Sequence, residues 1–204
     1  MPLIRSINIE NGLLLVWEMT ETAETFAAGY PEAQNDPVFS RITSLKRKQE
    51  WVAIRTLLHA ANCKPDQLSY TETGQPLINH PEYRSISISH SDRLAGLLLH
   101  RLHRAGLDIE SANRNFTRVE HKYLSPEEIL LALSVPNGHG LFWCIKEAVY
   151  KAAGLAGIHF SEQIRISLNE ENKPTAHLLT ESEQRYELVH FEIAEQIIVY
   201  AVPH

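Results

Sequence analysis

Three acidic side chains and a lysine carry most of the chemistry this sequence can do. Asp108 and Glu110 stand in Gly106-Leu107-Asp108-Ile109-Glu110; Glu147 and Lys151 stand in the segment from Phe142 to Lys151. As a strand, the first segment has a period of two, which puts Asp108 and Glu110 on one face and turns Leu107 and Ile109 into the core. Two neighbouring carboxylates repel, and unless solvated they need a cation. Hard oxygen donors without Cys or clustered His select Mg²⁺ or Mn²⁺ over zinc. The second segment has helical spacing, with Phe142, Ile145 and Val149 inward and Trp143, Glu147 and Lys151 on another side. Glu147 then offers a third metal-facing oxygen, with Lys151 one turn further on. Each feature alone has a plainer meaning. Glu147 and Lys151 are also an i, i+4 surface pair worth ~0.2–0.5 kcal/mol, and alternating acids also decorate exposed edge strands.

The elements that must position these groups follow from the patterning. Residues 4–9 and 13–18 read as strands joined at Asn11-Gly12, a strong hairpin signal. A short helix is expected over 20–28. A long amphipathic helix is expected from Arg41 to about Ala61, and strands over 68–71, 85–89 and 95–99. After His103-Arg104 the order partly repeats: a strand through Glu110, helices near 116–123 and 126–133, and a long helix over 141–153 that ends at Gly154. Segments 164–168, 177–179, 186–193 and 196–202 close the chain as an antiparallel meander. Trp51 to Arg55 faintly echoes Trp143 to Glu147, each in the long helix of its half.

Bulk properties narrow the function classes. At 204 residues, with 44% hydrophobic and 22% charged residues, the chain can bury a real core and is not of disordered composition. A net charge of −6 argues against a general nucleic-acid or anionic-membrane binder, although Arg41, Lys46, Arg47, Lys48 and Arg55 leave room for a local phosphate site. Cys63 and Cys144 lack metal-ligand spacing and suit buried thiols in a reducing cytosol. The run Leu13 to Trp17 is too short for a signal-peptide core, and no run approaches membrane-spanning length, so a cytoplasmic protein is expected.

Gly-x-Asp-x-Glu at Gly106 to Glu110, followed by Trp-x-x-Lys-Glu-x-x-x-Lys at Trp143 to Lys151, resembles the signature of the 4'-phosphopantetheinyl transferase superfamily. Thr73-Gly74-Gln75-Pro76-Leu77 resembles the family's Gly-Lys-Pro or Gly-Arg-Pro turn. The stretch from Ile86 to Ser91 resembles its strand ending in Ser-His-Ser, and Tyr123 to Glu128 resembles its Ser-Pro-x-Glu step. The resemblance runs from about Arg41 to Lys151. It implies the two-lobed, surfactin-synthetase-activating type: an α+β protein of two similar α/β lobes in a pseudo-dimeric arrangement, each with a small, mainly antiparallel sheet packed on a long helix. Residues 1–103 would form an N-terminal lobe contributing to coenzyme A binding, and 104–204 a C-terminal lobe with the metal and catalytic motifs.

The activity implied is Mg²⁺-dependent transfer of 4'-phosphopantetheine from coenzyme A to a serine hydroxyl of an apo acyl or peptidyl carrier protein. Holo carrier and adenosine 3',5'-bisphosphate are the products. By that analogy Asp108, Glu110 and Glu147 hold the metal, and Glu147, directly or through a metal-bound water, takes the serine proton. Lys151 stabilises or protonates the departing phosphate with Lys146 as an electrostatic helper, and His90, after Ser89, contacts the pyrophosphate. Arg55 and Arg41 hold the 3'-phosphate, and backbone groups near Gly74 and Pro76 border the nucleotide. Gln75 departs from the family's Lys or Arg, which leaves open the preference for coenzyme A over its 3'-dephospho form.

A docking ledge for an acidic carrier is expected on a helix over 113–124, where Arg114, Arg118 and Lys122 alternate with Phe116, Val119 and Tyr123. A monomer is expected, since the pseudo-dimer is built in. The competing readings are a relative that binds coenzyme A or a carrier without transfer, and, ranked lower, a Mg²⁺-dependent nuclease. Lys146 preceding Glu147 and the acidic net charge both weigh against the nuclease.

Overall fold

Residues 3–22, 25, 28, 30 and 32–204 are described by a computed structural model, which divides into two compact units, Met1–Arg101 and Leu102–His204. The sequence alone suggests a division after residue 103. Both units are mixed α and β with antiparallel sheets beside a 16-residue helix, the expected fold class.

In the first unit β1 (Leu3–Ile9), β2 (Gly12–Glu18), β5 (Ser85–His90) and β6 (Leu94–His100) form one sheet in the order β1-β2-β6-β5. The first hairpin turns on Glu10 and Asn11, one residue earlier than expected. Asn11 takes φ 53°, and Gly12 already pairs with Ile9. Gly12 must lack a side chain because a Cβ there would lie 2.6 Å from the Leu99 carbonyl oxygen. β6 is buried along its whole length, as its continuous apolar run demands. Helix α2 (Leu45–Ala60) lays Val52, Ala53, Leu57 and Leu58 against Leu15, Leu97 and Leu99 of the sheet.

The long helix expected from Arg41 is in fact two. Asp36 caps α1 (Pro37–Arg41) by accepting from the Val38 and Phe39 amides, Ile42 is extended, and Ser44 restarts the helix by capping α2. A small hairpin of β3 (Leu68–Tyr70) and β4 (Pro76–Ile78) follows, its loop closed by Gly74 at φ 82°. The short helix expected over 20–28 falls largely outside the described residues.

In the second unit β7 (Gly106–Ser111), β8 (Ile164–Leu168), β9 (Pro174–Leu179), β10 (Glu183–Ile193) and β11 (Gln196–Pro203) form a sheet in the order β7-β11-β10-β9-β8. The meander anticipated from the sequence is its last four strands. Between β7 and β8 come a 3₁₀ segment (Thr117–Lys122), α3 (Pro126–Leu133) and α4 (Gly138–Ala153). Ser125 and Glu128 form a capping box at the start of α3. Helix α4 packs on β7 and β11, burying Phe142, Ile145, Ala148 and Val149 against Ile197, Val199 and Ala201. The approach is close enough that a Cβ on Gly106 would stand 1.8 Å from the Ala148 carbonyl oxygen, so only glycine fits there.

Candidate active site

β7 and α4 bring the acidic motifs together. Asp108 and Glu110 pair in register with Val199 and Ile197 of β11, residues of the helix-covered core, so both carboxylates share the sheet face that α4 packs against. Leu107 and Ile109 are buried with the opposite parity. Trp143, Glu147 and Lys151 recur every four residues along α4 and form a stripe. The Trp143 indole N–H donates to Glu110 Oε1 at 3.0 Å. Two stripe positions further, Lys151 Nζ donates to Asp108 Oδ1 at 2.7 Å and to the Leu107 carbonyl at 2.9 Å.

Glu147 occupies the stripe's middle position, half-buried. Burial, then the negative charges of Asp108 and Glu110, push its carboxyl above the usual glutamate range, against the pull of Lys151 and Arg114. Cys144 lies beside the same acids and hydrogen-bonds Asp108; burial, then Asp108 and Glu110, hold its thiol well above the ordinary value. It is therefore an inert core thiol and no nucleophile.

All three candidate metal donors are carboxylate oxygens, and Asp108 and Glu110 both act electrostatically on Glu147. That chemistry fits a hard dication such as Mg²⁺. In this conformation the counter-charges are protein cations, Lys151 for Asp108 and Arg114 for Glu110. Among the described residues no three His, Cys, Asp or Glu side chains are gathered ready for a metal ion. An ion held by these carboxylates would take over the role that Lys151 and Arg114 fill here. Arg114 was expected on the docking ledge; its guanidinium instead lies 5.0 Å from the Phe116 ring centre and 5.4 Å from that of Trp143.

Lys146 is a correction. The motif suggests a helper near the phosphates, but the side chain is fully buried, and Nζ is committed to Glu128 Oε2 at 2.7 Å and to the Phe160 and Ile164 carbonyls at 2.9 and 2.7 Å. An ammonium has three N–H donors, and all three are used. Glu128 also accepts the Ser125 and Ile166 amides, each at 2.8 Å. Burial pulls the Lys146 ammonium down to about 8, with Glu128 opposing that shift. The residue ties α4 to α3 and β8. The Ser125-x-x-Glu128 capping box was legible in the sequence, but the second role of Glu128 was not.

The first unit gathers four of the residues expected to touch coenzyme A. Arg55, Gly74, Pro76 and His90 line one cavity of about 340 Å³, together with Arg47, Trp51 and others. Arg55 lies 3.7 Å above the Trp51 ring, and burial draws its guanidinium below the usual arginine range, opposed by a hydrogen bond to Tyr70. Arg41 lines a neighbouring cavity of about 360 Å³ that shares Ile42 and Arg47 with the first. Ser89, one residue out of phase with His90 on β5, is buried. Gln75 joins the β3–β4 loop, its backbone N–H donating to Thr71 Oγ1 at 3.0 Å, and is not part of the cavity wall. Tyr70 and Glu50 are cavity residues that sequence reasoning did not single out, and Trp51 stood out there only for its echo of Trp143.

Comparison with known proteins bears on the unit that holds the acidic stripe. Residues 104–201 match the 4'-phosphopantetheinyl transferase superfamily model. No curated protein sequence matches the chain significantly. Among solved structures, the Helicobacter pylori holo-[acyl-carrier-protein] synthase in complex with coenzyme A is similar at 28% identity and TM-score 0.42, covering 49% of this chain and 99% of that one. The Neisseria meningitidis holo-[acyl-carrier-protein] synthase aligns at 22% identity and TM-score 0.41, covering 49% and 96%. The Thermotoga maritima enzyme aligns at 18% and 0.40, covering 49% and 62%.

Within the region of the superfamily match, the docking ledge differs from expectation. The described structure there is a 3₁₀ segment, Thr117–Lys122, and not the regular helix expected over 113–124. Phe116 is 4% exposed and belongs to the core, and Val119 packs partly buried against it. Arg118 and Lys122 are exposed. The ledge thus keeps two of its three cations, Arg118 and Lys122, and loses its apolar anchor.

Proposed function

We propose that this protein transfers the 4'-phosphopantetheine group of coenzyme A to a serine hydroxyl of an apo acyl or peptidyl carrier protein, with Mg²⁺, releasing adenosine 3',5'-bisphosphate. The observation that carries the proposal is the stripe of Trp143, Glu147 and Lys151 facing Asp108 and Glu110, inside the segment that matches the superfamily. Asp108, Glu110 and Glu147 would hold the Mg²⁺, which when bound neutralises charge on the pyrophosphate.

The protein's own side chains do the rest. Glu147, at the middle of the stripe that faces Asp108 and Glu110, accepts the serine hydroxyl proton. The serine oxygen bonds to the phosphorus that bears pantetheine. The bridging P–O bond breaks, and its electron pair leaves with adenosine 3',5'-bisphosphate. Lys151, an ammonium already held toward Asp108, donates to the leaving phosphate. In the first unit, Arg55 and His90 bind phosphate groups of coenzyme A, Gly74 and Pro76 border its nucleotide, and Arg41 adds charge from the adjoining cavity. Since Gln75 supplies no cation, the 3'-phosphate depends on these arginines.

Two buried free thiols support a reducing, cytoplasmic setting, and we expect a monomer. No helix among the described residues is long and apolar enough to cross a membrane. Chromatographic detection of adenosine 3',5'-bisphosphate after incubation with coenzyme A, Mg²⁺ and a panel of apo carriers tests the reading. Release that requires a carrier and stops with a chelator supports it. Coenzyme A binding with no release on any carrier would instead favour a binding protein.

A further inference from the structure

The cavity lined by Arg47, Arg55 and His90 also contains an acid, Glu50. A carboxylate there repels the phosphates that the arginines would attract, so its presence needs a physical reason. Glu50 is only 12% exposed at its side chain, and its Oε1 lies 3.3 Å from His90 Nδ1 and 4.0 Å from Lys46 Nζ. His90 itself is 45% exposed. Both backbones are anchored: Glu50 lies within α2, and His90 ends β5 in register with Ala95 of β6. The charged and titratable groups around the pair are Lys46, Arg47 and Arg55 of α2 and Tyr70 of β3.

We infer that Glu50 is a positioning residue for His90, holding the imidazole by Nδ1 so that Nε2 is the ring nitrogen presented to a phosphate of the coenzyme. The inference rests on the coenzyme A reading of this cavity. An imidazole with one nitrogen held beside a buried carboxylate has a restricted ring orientation, which turns the other nitrogen toward a ligand. The plainer alternative is a partly exposed ion pair with no consequence for binding.

The test is a double-substitution cycle on coenzyme A affinity, measured calorimetrically with the full chain, together with ring ¹⁵N spectra of His90 in the free protein. E50A weakens coenzyme A binding about fivefold, the loss expected of one polar contact. H90A weakens it at least as much, and E50A/H90A is no weaker than H90A alone, because Glu50 acts through His90. E50A also shifts the His90 ring ¹⁵N signals before any ligand is added, because the ring is no longer held at Nδ1. Additive losses, or unchanged His90 signals in E50A, overturn the role of Glu50 while leaving the coenzyme A site intact. Wild-type protein that binds no coenzyme A overturns the reading of the cavity and this inference with it.

Discussion

Replacing Lys146 with Met separates a structural lysine from a catalytic one. The buried ammonium holds Glu128 and the Phe160 and Ile164 carbonyls, and Glu128, 2% exposed, loses this buried cationic partner when the amine is removed. Breaking a buried pair from one side costs ~3–5 kcal/mol. Glu128 keeps the Ser125 and Ile166 amides, which places K146M near the lower end, about 3 kcal/mol. With a urea slope of roughly 2 kcal/mol/M, the midpoint falls by about 1.5 M. Removing the other partner should be worse. E128L strands the ammonium and also leaves two buried amides unpaired, each adding roughly 1–3 kcal/mol. Urea melts of the three proteins read this order directly. In the cold, where K146M remains folded, its coenzyme A affinity stays at the wild-type value. A K146M loss below about 1 kcal/mol, or a tenfold loss of coenzyme A affinity in folded K146M, would refute the assignment and return Lys146 to the ligand.

Three further outcomes follow from specific contacts. G106A places a methyl against backbone atoms of Ala148 and Ala152, 1.8 and 2.7 Å away, so β7 must move off α4 at a cost of at least ~3 kcal/mol, measurable by thermal melting; wild-type stability would contradict the packing. R118E/K122E should raise the KM for an acidic carrier and leave the Kd for coenzyme A unchanged, and equal loss of both would remove these residues from docking. Burial pushes the Tyr123 hydroxyl well above the usual phenol range, and the group donates to the His139 carbonyl at 3.1 Å. With the folded value raised, the unfolded chain gives up this proton first, so the contribution of Tyr123 is whole below about pH 10 and is lost as pH rises beyond it. Y123F should lower stability by about 1 kcal/mol at neutral pH and flatten the alkaline decline. A decline as steep as wild type would refute the link to Tyr123.

The acidic motifs were legible because two periodicities suffice to align them: two residues on a strand and four on a helix bring Asp108, Glu110, Glu147 and Lys151 to one place once β7 and α4 pack. The sheet of the second unit was legible for the same reason. What failed was the environment beyond the stripe. Helical spacing says that Lys146 is one residue from Glu147, but not that its own direction leads into a buried carboxylate on α3. Amphipathic spacing over 113–124 does not reveal that Phe116 fills the core or that Arg114 turns back to Glu110. The break between α1 and α2 was written in Ser44 as a cap, yet a continuous apolar pattern on either side concealed it. In the first unit, Glu50 and Trp51 gain their meaning only when α2 is placed beside β5 and the β3–β4 loop, a tertiary fact that no local pattern encodes.

The central claim is that Glu147, among Asp108, Glu110 and Lys151, makes this protein a phosphopantetheinyl transferase. The most direct measurement is the intact mass of an apo carrier incubated with coenzyme A and Mg²⁺, comparing wild type with E147Q whose circular dichroism matches wild type. Wild type should add one phosphopantetheine per carrier serine, and E147Q should do so about 10²–10⁴-fold more slowly, as the loss of a proton acceptor requires. Carrier modification by E147Q at the wild-type rate would contradict the account.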